Sequence, residues 1–333
     1  MTAAERPRLV VLRALKLGDL LVAVPALRAL ARAFPDHHRV LAAPAWLEPL
    51  ALLTGAVHEV VDTEPLAALD PSLRGAEVAV NLHGRGPEST EVLRATGPRQ
   101  LVAFDLPGCP SWSADEHERL RWCRLLEGVG VPTDPDDLLL TRPDRAGPAG
   151  AAGAARAAGA TVVHPGASTG ARRWPAARWA AVVAAEVAAG RSVVVTGAAE
   201  ERELAEAVAV ASGCRDVSVL AGRTDLLDLV ALVADAGRVV CGDTGIAHVA
   251  TATGTPSVVL FGPTSPGTWG PPPWGPHRVL WRGRTGEALA KDPDPGLLLI
   301  TVEDVVGAIA DLPERAPIPG AARPAGVATA ASA

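Results

Sequence analysis

A short polar turn between two apolar segments carries the highest density of chemically useful residues in this sequence. Gly242-Asp243-Thr244-Gly245 follows an apolar run that predicts a buried strand, and an apolar helix is expected over residues 246–253. Backbone N–H groups at such a helix start point at one spot, where they and the helix dipole favour an anion such as a phosphate. Asp243 and His248 add a carboxylate and an imidazole within about one helical turn of that spot. An ordinary strand-to-helix loop would need only a cap, so a purely structural role stays open.

The end of the first predicted strand places a second carboxylate at a strand exit. Gly18 permits a tight turn there, and Asp19 opens the helix that follows. As an N-cap residue, Asp19 would need no further role. At the carboxyl end of a strand it would instead face a cleft and could accept a proton from a hydroxyl nucleophile. Both interpretations stay open on these residues alone.

The strand that opens the second half of the chain ends in a loop of small, hydroxyl and cationic residues, over residues 164–175. Small residues let a ligand approach the backbone, hydroxyls donate hydrogen bonds, and guanidinium groups carry permanent charge. A polar loop with solvated arginines is the structural alternative, but the convergence of these types on one strand end favours an anion site. The residues concerned are Gly166, Ser168, Thr169, Gly170, Arg172 and Arg173.

Two further strand exits in the second half carry polar candidates. Glu200 and Glu201 follow one strand and lie near a helix N-terminus, where they would stabilise the helix dipole. A carboxylate at that position could instead hold the two hydroxyls of a ribose. Thr224 follows the next strand and is predicted to cap the helix after it.

The composition argues against several classes of partner and site. The net charge is -6, and no cluster of Lys and Arg forms the long basic face that nucleic acid binding needs, so nucleic acid is not expected as a partner. The four cysteines are widely spaced with no CxxC pair, which argues against a zinc site or a disulfide framework. Asp134-Pro135-Asp136 and Asp292-Pro293-Asp294 match a DxD metal motif only in letters, because both lie in proline-rich loops. No metal or other cofactor is therefore expected.

Hydropathy and cysteine usage predict a cytoplasmic protein. No run approaches the roughly 18 consecutive apolar residues of a membrane-spanning helix, so we expect a soluble chain. Unpaired, scattered cysteines fit a reducing compartment. Peripheral contact with a membrane stays open.

Apolar runs alternate with helical periodicity along the chain, which predicts an α/β protein built from βαβ units with parallel sheets. Ligands are then expected at the carboxyl edges of the strands. A linker near residues 143–150 divides the chain into domains over 1–145 and 146–312, followed by a disordered Ala/Pro-rich tail over 313–333. Strands are predicted at 8–13, 39–43, 57–61, 78–82, 100–104, 161–164, 192–196, 217–220, 238–241 and 257–261. Helices are predicted at 20–34, 116–128, 175–189, 199–212, 224–236, 245–253 and 301–312, with an irregular loop over 263–276.

These segments, in this order, resemble glycosyltransferase family 9, the ADP-heptose:lipopolysaccharide heptosyltransferase family. The resemblance covers most of residues 8–312. Each motif alone has little specificity, whereas the ordered set is strong. The motifs are Leu17-Gly18-Asp19 followed by Pro25, Pro165-Gly166-Ala167-Ser168 with Arg173-Trp174-Pro175, Asp243-Thr244-Gly245 with His248, and Gly254-Thr255-Pro256 leading to Leu260-Phe261-Gly262-Pro263-Thr264.

The resemblance implies a GT-B fold with two facing Rossmann-like domains. The first domain would bind the acceptor and the second the nucleotide sugar. It implies metal-independent, inverting transfer of a sugar, expected to be heptose, from an ADP-sugar to a hydroxyl of a glycan, lipid-linked or small-molecule acceptor. By position, Asp19 is the general base, and Arg172 stands where the family commonly has lysine. The acceptor side is expected to include Lys16, Gly18, His83 and Arg85. The donor side is expected to include Ser168, Thr169, Arg172, Glu200 or Glu201, Thr224, Asp243, Thr244, Gly245 and His248.

Two other functions remain open at this stage. A non-hydrolysing sugar-nucleotide epimerase on the same fold would use carboxylates and histidines around the donor, and His83, His164 and His248 are compatible with it. A non-catalytic protein that binds sugar nucleotides would keep the donor residues, but it would have no need of Asp19.

Overall fold

Two parallel β-sheets, one in each half of the chain, form the framework of the fold. The computed structural model describes residues 6–144 and 157–314. The first sheet contains β1 (Arg8–Leu12), β2 (His38–Ala43), β3 (Glu59–Asp62), β4 (Val78–Asn81) and β5 (Gln100–Val102). The second sheet contains β6 (Thr161–His164), β7 (Val193–Val195), β8 (Val217–Val219), β9 (Arg238–Gly242), β10 (Ser257–Leu260) and β11 (His277–Leu280).

Helices connect these strands. In the first half they are α1 (Leu17–Val22), α2 (Val24–Ala33), α3 (Glu48–Leu53), α4 (Glu88–Arg94) and α5 (Glu118–Glu127). In the second half they are α6 (Ala176–Ala188), α7 (Arg202–Ala211), α8 (Leu226–Asp235), α9 (Gly245–Ala252), α10 (Pro266–Trp269), α11 (Pro295–Leu298) and α12 (Val302–Ala310). None of the described helices is both long and apolar enough to cross a membrane.

The strand order places a change of chain direction near the centre of each sheet. The first sheet has the order β3-β2-β1-β4-β5, and the second has β11-β10-β9-β6-β7-β8, with all neighbours parallel. In the first sheet, β2 and β3 are added on one side of β1, and β4 and β5 are then added on its other side. This switch opens a crevice at the carboxyl ends of the strands, where such folds bind ligands. Asp19 follows β1, and Asp243 follows β9, at the corresponding edge of the second sheet. The prediction of an α/β protein with two parallel-sheet domains is confirmed.

One hydrophobic cluster joins the two halves. It includes Leu9 and Leu41 of the first sheet, Val239 and Val259 of the second, and Ile246 of α9, all essentially without solvent contact. Strands covered on both faces require uninterrupted apolar runs rather than alternation, which is why these segments are so rich in valine and leucine. The two sheets are therefore held together by a shared core, which fixes the relation between their ligand-binding edges.

The structure differs from the sequence prediction at several elements. The helix predicted over 20–34 is two helices, because the chain breaks at Ala23 and α2 restarts with Pro25 in its first turn. The loop predicted over 263–276 contains the short helix α10, capped by the Ser265 hydroxyl. Strand β11 was not predicted, since its sequence His-Arg-Val-Leu has only two apolar residues. The predicted linker and tail lie almost entirely outside the described residues, so the domain boundaries stay a prediction.

Buried histidines make the stability of this fold depend on pH. Burial lowers the pKa of His277 to about 4, and Ser257 Oγ lies 2.8 Å from its Nδ1. The unfolded chain takes up this proton near pH 6.5, so between pH 6.5 and 4 the unfolded state binds more protons and the free energy of unfolding falls as the pH falls. His277→Gln should therefore flatten the pH dependence of stability in this window by at most about 1.4 kcal/mol per pH unit. Urea unfolding of both proteins at pH 7, 6 and 5 measures this, and parallel curves would show that His277 is not responsible.

Candidate active site

Helix α1 of the first domain packs directly against helix α9 of the second, at the ligand-binding edges of both sheets. A methyl group added at Gly18 would lie 2.7 Å from Cδ2 of His248, and one added at Gly245 would lie 3.0 Å from Cδ2 of Leu17. Both glycines are therefore needed for the close approach of the two helix starts. This contact brings Asp19 and His248 to the same place, although 229 positions separate them in the sequence.

Asp19 occupies the third position of α1, whereas Lys16 takes the N-cap position. Its Oδ2 accepts a hydrogen bond of 3.2 Å from the backbone N–H of Lys16, and its Oδ1 lies 3.7 Å from Nη2 of Arg13. The sequence interpretation of Asp19 as an N-cap is therefore wrong in position, but the side chain does stabilise the start of α1. Its side chain is 22% exposed, so it also reaches the cleft.

On the second domain, Arg172 and Asp243 form a pair at the edge of the sheet. Nη1 of Arg172 lies 3.5 Å from Oδ2 of Asp243, and Nη2 of Arg172 donates a 3.2 Å hydrogen bond to the Thr264 hydroxyl. Burial raises the pKa of Asp243, against the attraction of Arg172 and a hydrogen bond from Thr264. Arg172 Nε and Asp243 Oδ2 are buried with no hydrogen-bond partner inside the described ranges. Groups of this kind are costly to bury without a partner, so they suit a ligand that completes them.

The start of α9 offers further donors beside this pair. Thr244 stands at the N-cap position and makes no side-chain cap hydrogen bond. The first N–H groups of a helix have no partner within the helix, and they carry partial positive charge. Together with Arg172, this helix start forms a positively polarised surface at the exit of β9, which is suited to a phosphate.

His248 is a neutral imidazole between the two domains. Its pKa is lowered to about 4, chiefly by burial; Asp19 opposes this shift, whereas the Arg172 cation acts in the same direction as burial. Its ring makes an edge-to-face contact with Trp269, with 6.1 Å between the centroids. At neutral pH it can therefore donate one hydrogen bond and accept another without repelling a cation.

The loop after β6 packs against the segment that precedes α11 and is hydrogen-bonded to it. Thr169 Oγ1 donates a 2.8 Å hydrogen bond to the carbonyl of Ala288, so its proton is already committed to the protein. Arg173 Nε donates to the carbonyl of Ala167 and thereby supports the loop. Arg172 instead extends toward the Asp243 carboxylate. Ser168 is exposed. Ser168 and Arg172 are thus better placed than the Thr169 hydroxyl to donate to a ligand.

Gly170 is required by the packing of this loop. A methyl group there would overlap the main-chain oxygen of Lys291. Because the obstacle is backbone, Gly170→Ala should force the two segments apart and destabilise the protein by roughly 1–3 kcal/mol. Gly307, inside α12, faces open space, so Gly307→Ala should stabilise it by about 0.5–1 kcal/mol. Urea unfolding of the two variants measures the contrast, and a neutral Gly170→Ala would show that the two segments separate at no cost.

Glu201, rather than Glu200, is turned toward the strand exits. A methyl group on Gly166 would overlap its carboxylate, its Oε2 lies 3.7 Å from Nε2 of His164, and it accepts a 2.9 Å hydrogen bond from the N–H of Ala198. Glu200 is exposed. The side chain best placed to meet a ligand across Gly166 is therefore Glu201.

Thr224 does not cap the helix that follows it. Helix α8 begins at Leu226, and the Asp225 carboxylate caps it by accepting the N–H of Asp228. The prediction for Thr224 as a cap is wrong because the turn is one residue longer than the spacing suggested. Thr224 is half-buried beside the exit of β8.

The acceptor-side candidates are distributed along the edge of the first sheet. His83 follows β4, and its Nδ1 is buried without a hydrogen-bond partner within 6–144 and 157–314. Burial lowers its pKa, Arg13 lowers it further, and Asp19 opposes this, which places it near both. Arg85 is largely exposed, 3.7 Å from the Asp105 carboxylate. Asp19, Gly18 and His83 therefore lie at the centre of the edge, with the exposed Lys16 next to Asp19 and Arg85 further out.

Sequence reasoning missed two residues that contact this centre. Arg13 directly follows β1, and its side chain is entirely buried beside Asp19. His117, at the start of α5, places its Nε2 2.9 Å from the carbonyl oxygen of Gly270 in the second domain. The only signal for Arg13 was a cation at the end of an apolar run, a position where most arginines reach solvent.

The two DxD sequences serve local structure. Asp134 accepts the N–H of Asp136, which in turn pairs with Arg119 at 2.6 Å. Asp294 accepts the N–H groups of Gly296 and Leu297 at the start of α11. In the part of the chain that the structure describes, no three His, Cys, Asp or Glu side chains are grouped so as to hold a metal ion.

Sequence relatives match part of the chain. Lipooligosaccharide heptosyltransferase 2 of Haemophilus influenzae is 37% identical over 106 residues, which is 31% of each chain. Lipopolysaccharide heptosyltransferase 3 of Escherichia coli is 32% identical over 155 residues, 44% of this chain and 45% of the relative. The matched stretches therefore span less than half the length of these curated relatives.

Solved structures share the whole fold. The Escherichia coli ADP-heptose lipopolysaccharide heptosyltransferase II superposes with a TM-score of 0.74 at 22% identity, over 91% of this chain and 97% of its own. A family 9 glycosyltransferase from Veillonella parvula gives 0.75 at 21% identity, over 91% and 96%. An Escherichia coli heptosyltransferase solved with ADP gives 0.69 at 18% identity, over 91% and 99%. These likenesses establish the two-domain GT-B fold.

A match to a protein-family model shows the family to which the chain belongs. The model described as glycosyltransferase family 9 (heptosyltransferase) matches residues 115–292, which is more than half of the 333 residues. The match begins just before α5 and contains all of α5, the loop after β6, the Arg172–Asp243 pair and the start of α9. The chain belongs to glycosyltransferase family 9.

Proposed function

We propose that this protein transfers a sugar from an ADP-activated donor to a hydroxyl group of a glycan, lipid-linked or small-molecule acceptor, with heptose as the expected sugar. One observation carries the proposal: Asp19 of the first domain and Arg172 of the second, which pairs with Asp243, both lie near His248, where the two domains pack together. A base and an anion site on opposite domains are what a transferase needs to bring two substrates together. The names of the relatives support the ADP-heptose donor.

The proposed reaction is a single displacement at the anomeric carbon. The acceptor oxygen forms the new bond from one face as its proton passes to Asp19, while the bond to the ADP oxygen breaks on the other face. The configuration is therefore inverted. Arg172 and the N–H groups at the start of α9 stabilise the negative charge that develops on the departing diphosphate. Asp243 is proposed to accept hydrogen bonds from sugar hydroxyls, His248 to donate one to a phosphate oxygen, and Glu201 to hold the ribose.

The first domain, residues 1–145, is proposed to hold the acceptor, and the second, residues 146–312, the donor. Ser168 and the backbone around Gly166 line the side of the cleft that would face the diphosphate. His83 and Lys16 are proposed to contact the acceptor beside Asp19, with Arg85 further out on the rim. We place the protein in the cytoplasm, where nucleotide sugars are available, with contact at a membrane surface if the acceptor is lipid-linked.

Acceptor-dependent release of ADP tests this function. Purified protein is incubated with ADP-heptose and a panel of saccharide and lipid-linked acceptors, ADP is measured enzymatically, and products are identified by mass spectrometry. We expect ADP to form only with an acceptor, whose mass rises by one heptose residue. An isomerised donor sugar with no acceptor present would instead identify an epimerase, and binding of ADP-heptose without turnover on any acceptor would indicate a binding protein.

The proposed reaction does not require a divalent metal. Arg172 and the start of α9 already supply positive charge where the diphosphate would lie. Activity should therefore persist within about twofold after dialysis against excess EDTA, since charge stabilisation is provided by the protein itself. The measurement is the initial rate with and without chelator. Complete loss of rate that Mg²⁺ or Mn²⁺ restores would show that a metal carries the leaving group.

A further inference from the structure

A buried guanidinium lies behind the proposed base. The side chain of Arg13 has no exposed surface, and its Nη2 lies 3.7 Å from Oδ1 of Asp19 and 3.9 Å from Oε1 of Glu118. This Nη2 has no hydrogen-bond partner among the described residues. The one nitrogen of Arg13 that is not engaged in a hydrogen bond therefore faces two carboxylates.

The rest of the guanidinium is fixed in direction. Its Nε donates to the main-chain carbonyl of Asp19, and its Nη1 donates to the main-chain carbonyl of Leu82. Its Cζ lies over the Trp122 ring, 4.9 Å from the centroid. A planar fork held at two edges and one face cannot rotate, so the position of Nη2 beside Asp19 is set by the fold. Arg13 thus contacts both the backbone and the side chain of the same aspartate.

Burial of this charge needs a compensating partner. Burial lowers the pKa of Arg13 to about 10, against the attraction of Asp19, so the group is still protonated at neutral pH. Glu118 is shared, because it also pairs with Arg121 on the next turn of α5. A buried cation without adequate carboxylates is strongly destabilising. Asp19 is therefore the acidic partner of Arg13 that also reaches the cleft.

We propose that Arg13 is a positioning residue for the transfer reaction and acts through Asp19. It holds the carboxylate in one rotamer, with Oδ1 toward Arg13 and Oδ2 toward the Lys16 N–H. A carboxylate has about four lone-pair directions, so those that remain can accept the proton of the acceptor hydroxyl. The inference rests on the proposed function, since it takes Asp19 as the base.

The alternative is that Arg13 only supports the fold through Leu82 and Trp122. A double-mutant cycle separates the two, because a residue that acts through Asp19 loses its effect once Asp19 cannot act as a base. The variants are Arg13→Lys, Arg13→Met, Asp19→Asn, and Arg13→Lys combined with Asp19→Asn. Lysine keeps the charge but cannot hold three acceptors in a fixed plane.

We expect Arg13→Lys to lower kcat by roughly 10–100-fold and Arg13→Met by more, with the donor KM and the Kd for ADP within about twofold of wild type, since a misplaced base affects the transition state alone. In the Asp19→Asn background, Arg13→Lys should change the residual rate by less than about twofold. Arg28→Met is the matched control. It removes an arginine of the first domain that pairs with Asp137 at 2.6 Å, and it should lower stability without changing kcat.

Three results would overturn the inference alone: a folded Arg13→Lys protein within about twofold of the wild-type kcat, a full effect of Arg13→Lys in the Asp19→Asn background, or failure of both Arg13 variants to fold when Arg28→Met folds. If only Arg13→Met fails to fold, the cycle with Arg13→Lys still distinguishes a role through Asp19 from a role in the fold alone. A near wild-type rate in Asp19→Asn would overturn the proposed base itself, and this inference with it.

Discussion

Replacing Asp19 with asparagine should lower turnover by roughly 10²–10⁴-fold, the range expected when a general base is removed. Asparagine has the same size and can still accept the Lys16 N–H through its side-chain oxygen, so the start of α1 should be preserved. The anion site lies on the other domain, so the Kd for ADP should stay within about twofold. Initial rates of ADP release and calorimetric titration with ADP measure the two quantities.

Asp62 provides a matched control for this substitution. It ends β3, accepts a 2.8 Å hydrogen bond from the N–H of Ala45, and lies two strands away from β1 at the edge of the same sheet. Asp62→Asn should therefore leave turnover nearly unchanged. Equal losses of turnover in Asp62→Asn and Asp19→Asn would indicate a general effect on the first domain. A wild-type rate in Asp19→Asn would show that Asp19 is not the base.

Replacing Arg172 with methionine should weaken ADP binding by about 1.5–3 kcal/mol, the range for hydrogen bonds to charged groups. The variant loses a cation beside the proposed diphosphate site. It also leaves Asp243, 7% exposed, without its cationic partner, so that any charge on this carboxylate would repel phosphate. Calorimetric titration of wild type and variant with ADP gives this difference, and a melting curve shows whether the fold is retained.

Arg173 serves as the neighbouring control. Its Nε donates to the Ala167 carbonyl at 3.0 Å, so Arg173→Met should disturb the loop and reduce ADP affinity less than Arg172→Met does. The reverse order of effects, with Arg173 dominant and Arg172 without influence, would mean that the diphosphate lies on the other side of this loop.

Elements with a continuous apolar signal were predictable from sequence, and those decided by tertiary contact were not. Strand β7 was predicted to within one residue at each end because Val193-Val194-Val195 is an unbroken apolar run, as a buried strand needs. The break at Ala23 was not visible, because α1 and α2 share one apolar period. Strand β11 lies at the edge of its sheet, where one neighbour and partial exposure tolerate His277 and Arg278.

The candidate site shows the same division. Asp19, Arg172 and Asp243 could be named from strand exits because parallel strands bring their carboxyl ends to one edge. The choice between Glu200 and Glu201 depends on the direction of one short helical turn, which spacing alone does not specify. The burial of Arg13 depends on Trp122 and Leu82, residues about 70 to 110 positions away, and no local sequence pattern predicts such a contact.

The stereochemistry of the product tests the central claim most directly. Proton NMR of a reaction with an anomerically pure ADP-sugar and an active acceptor follows the anomeric signal of donor and product in one sample. A single displacement with Asp19 as the base predicts a product whose anomeric configuration is opposite to that of the donor, formed at the rate of ADP release. A product with the donor's configuration would contradict the account, because the acceptor could not then have attacked from the face opposite the departing ADP.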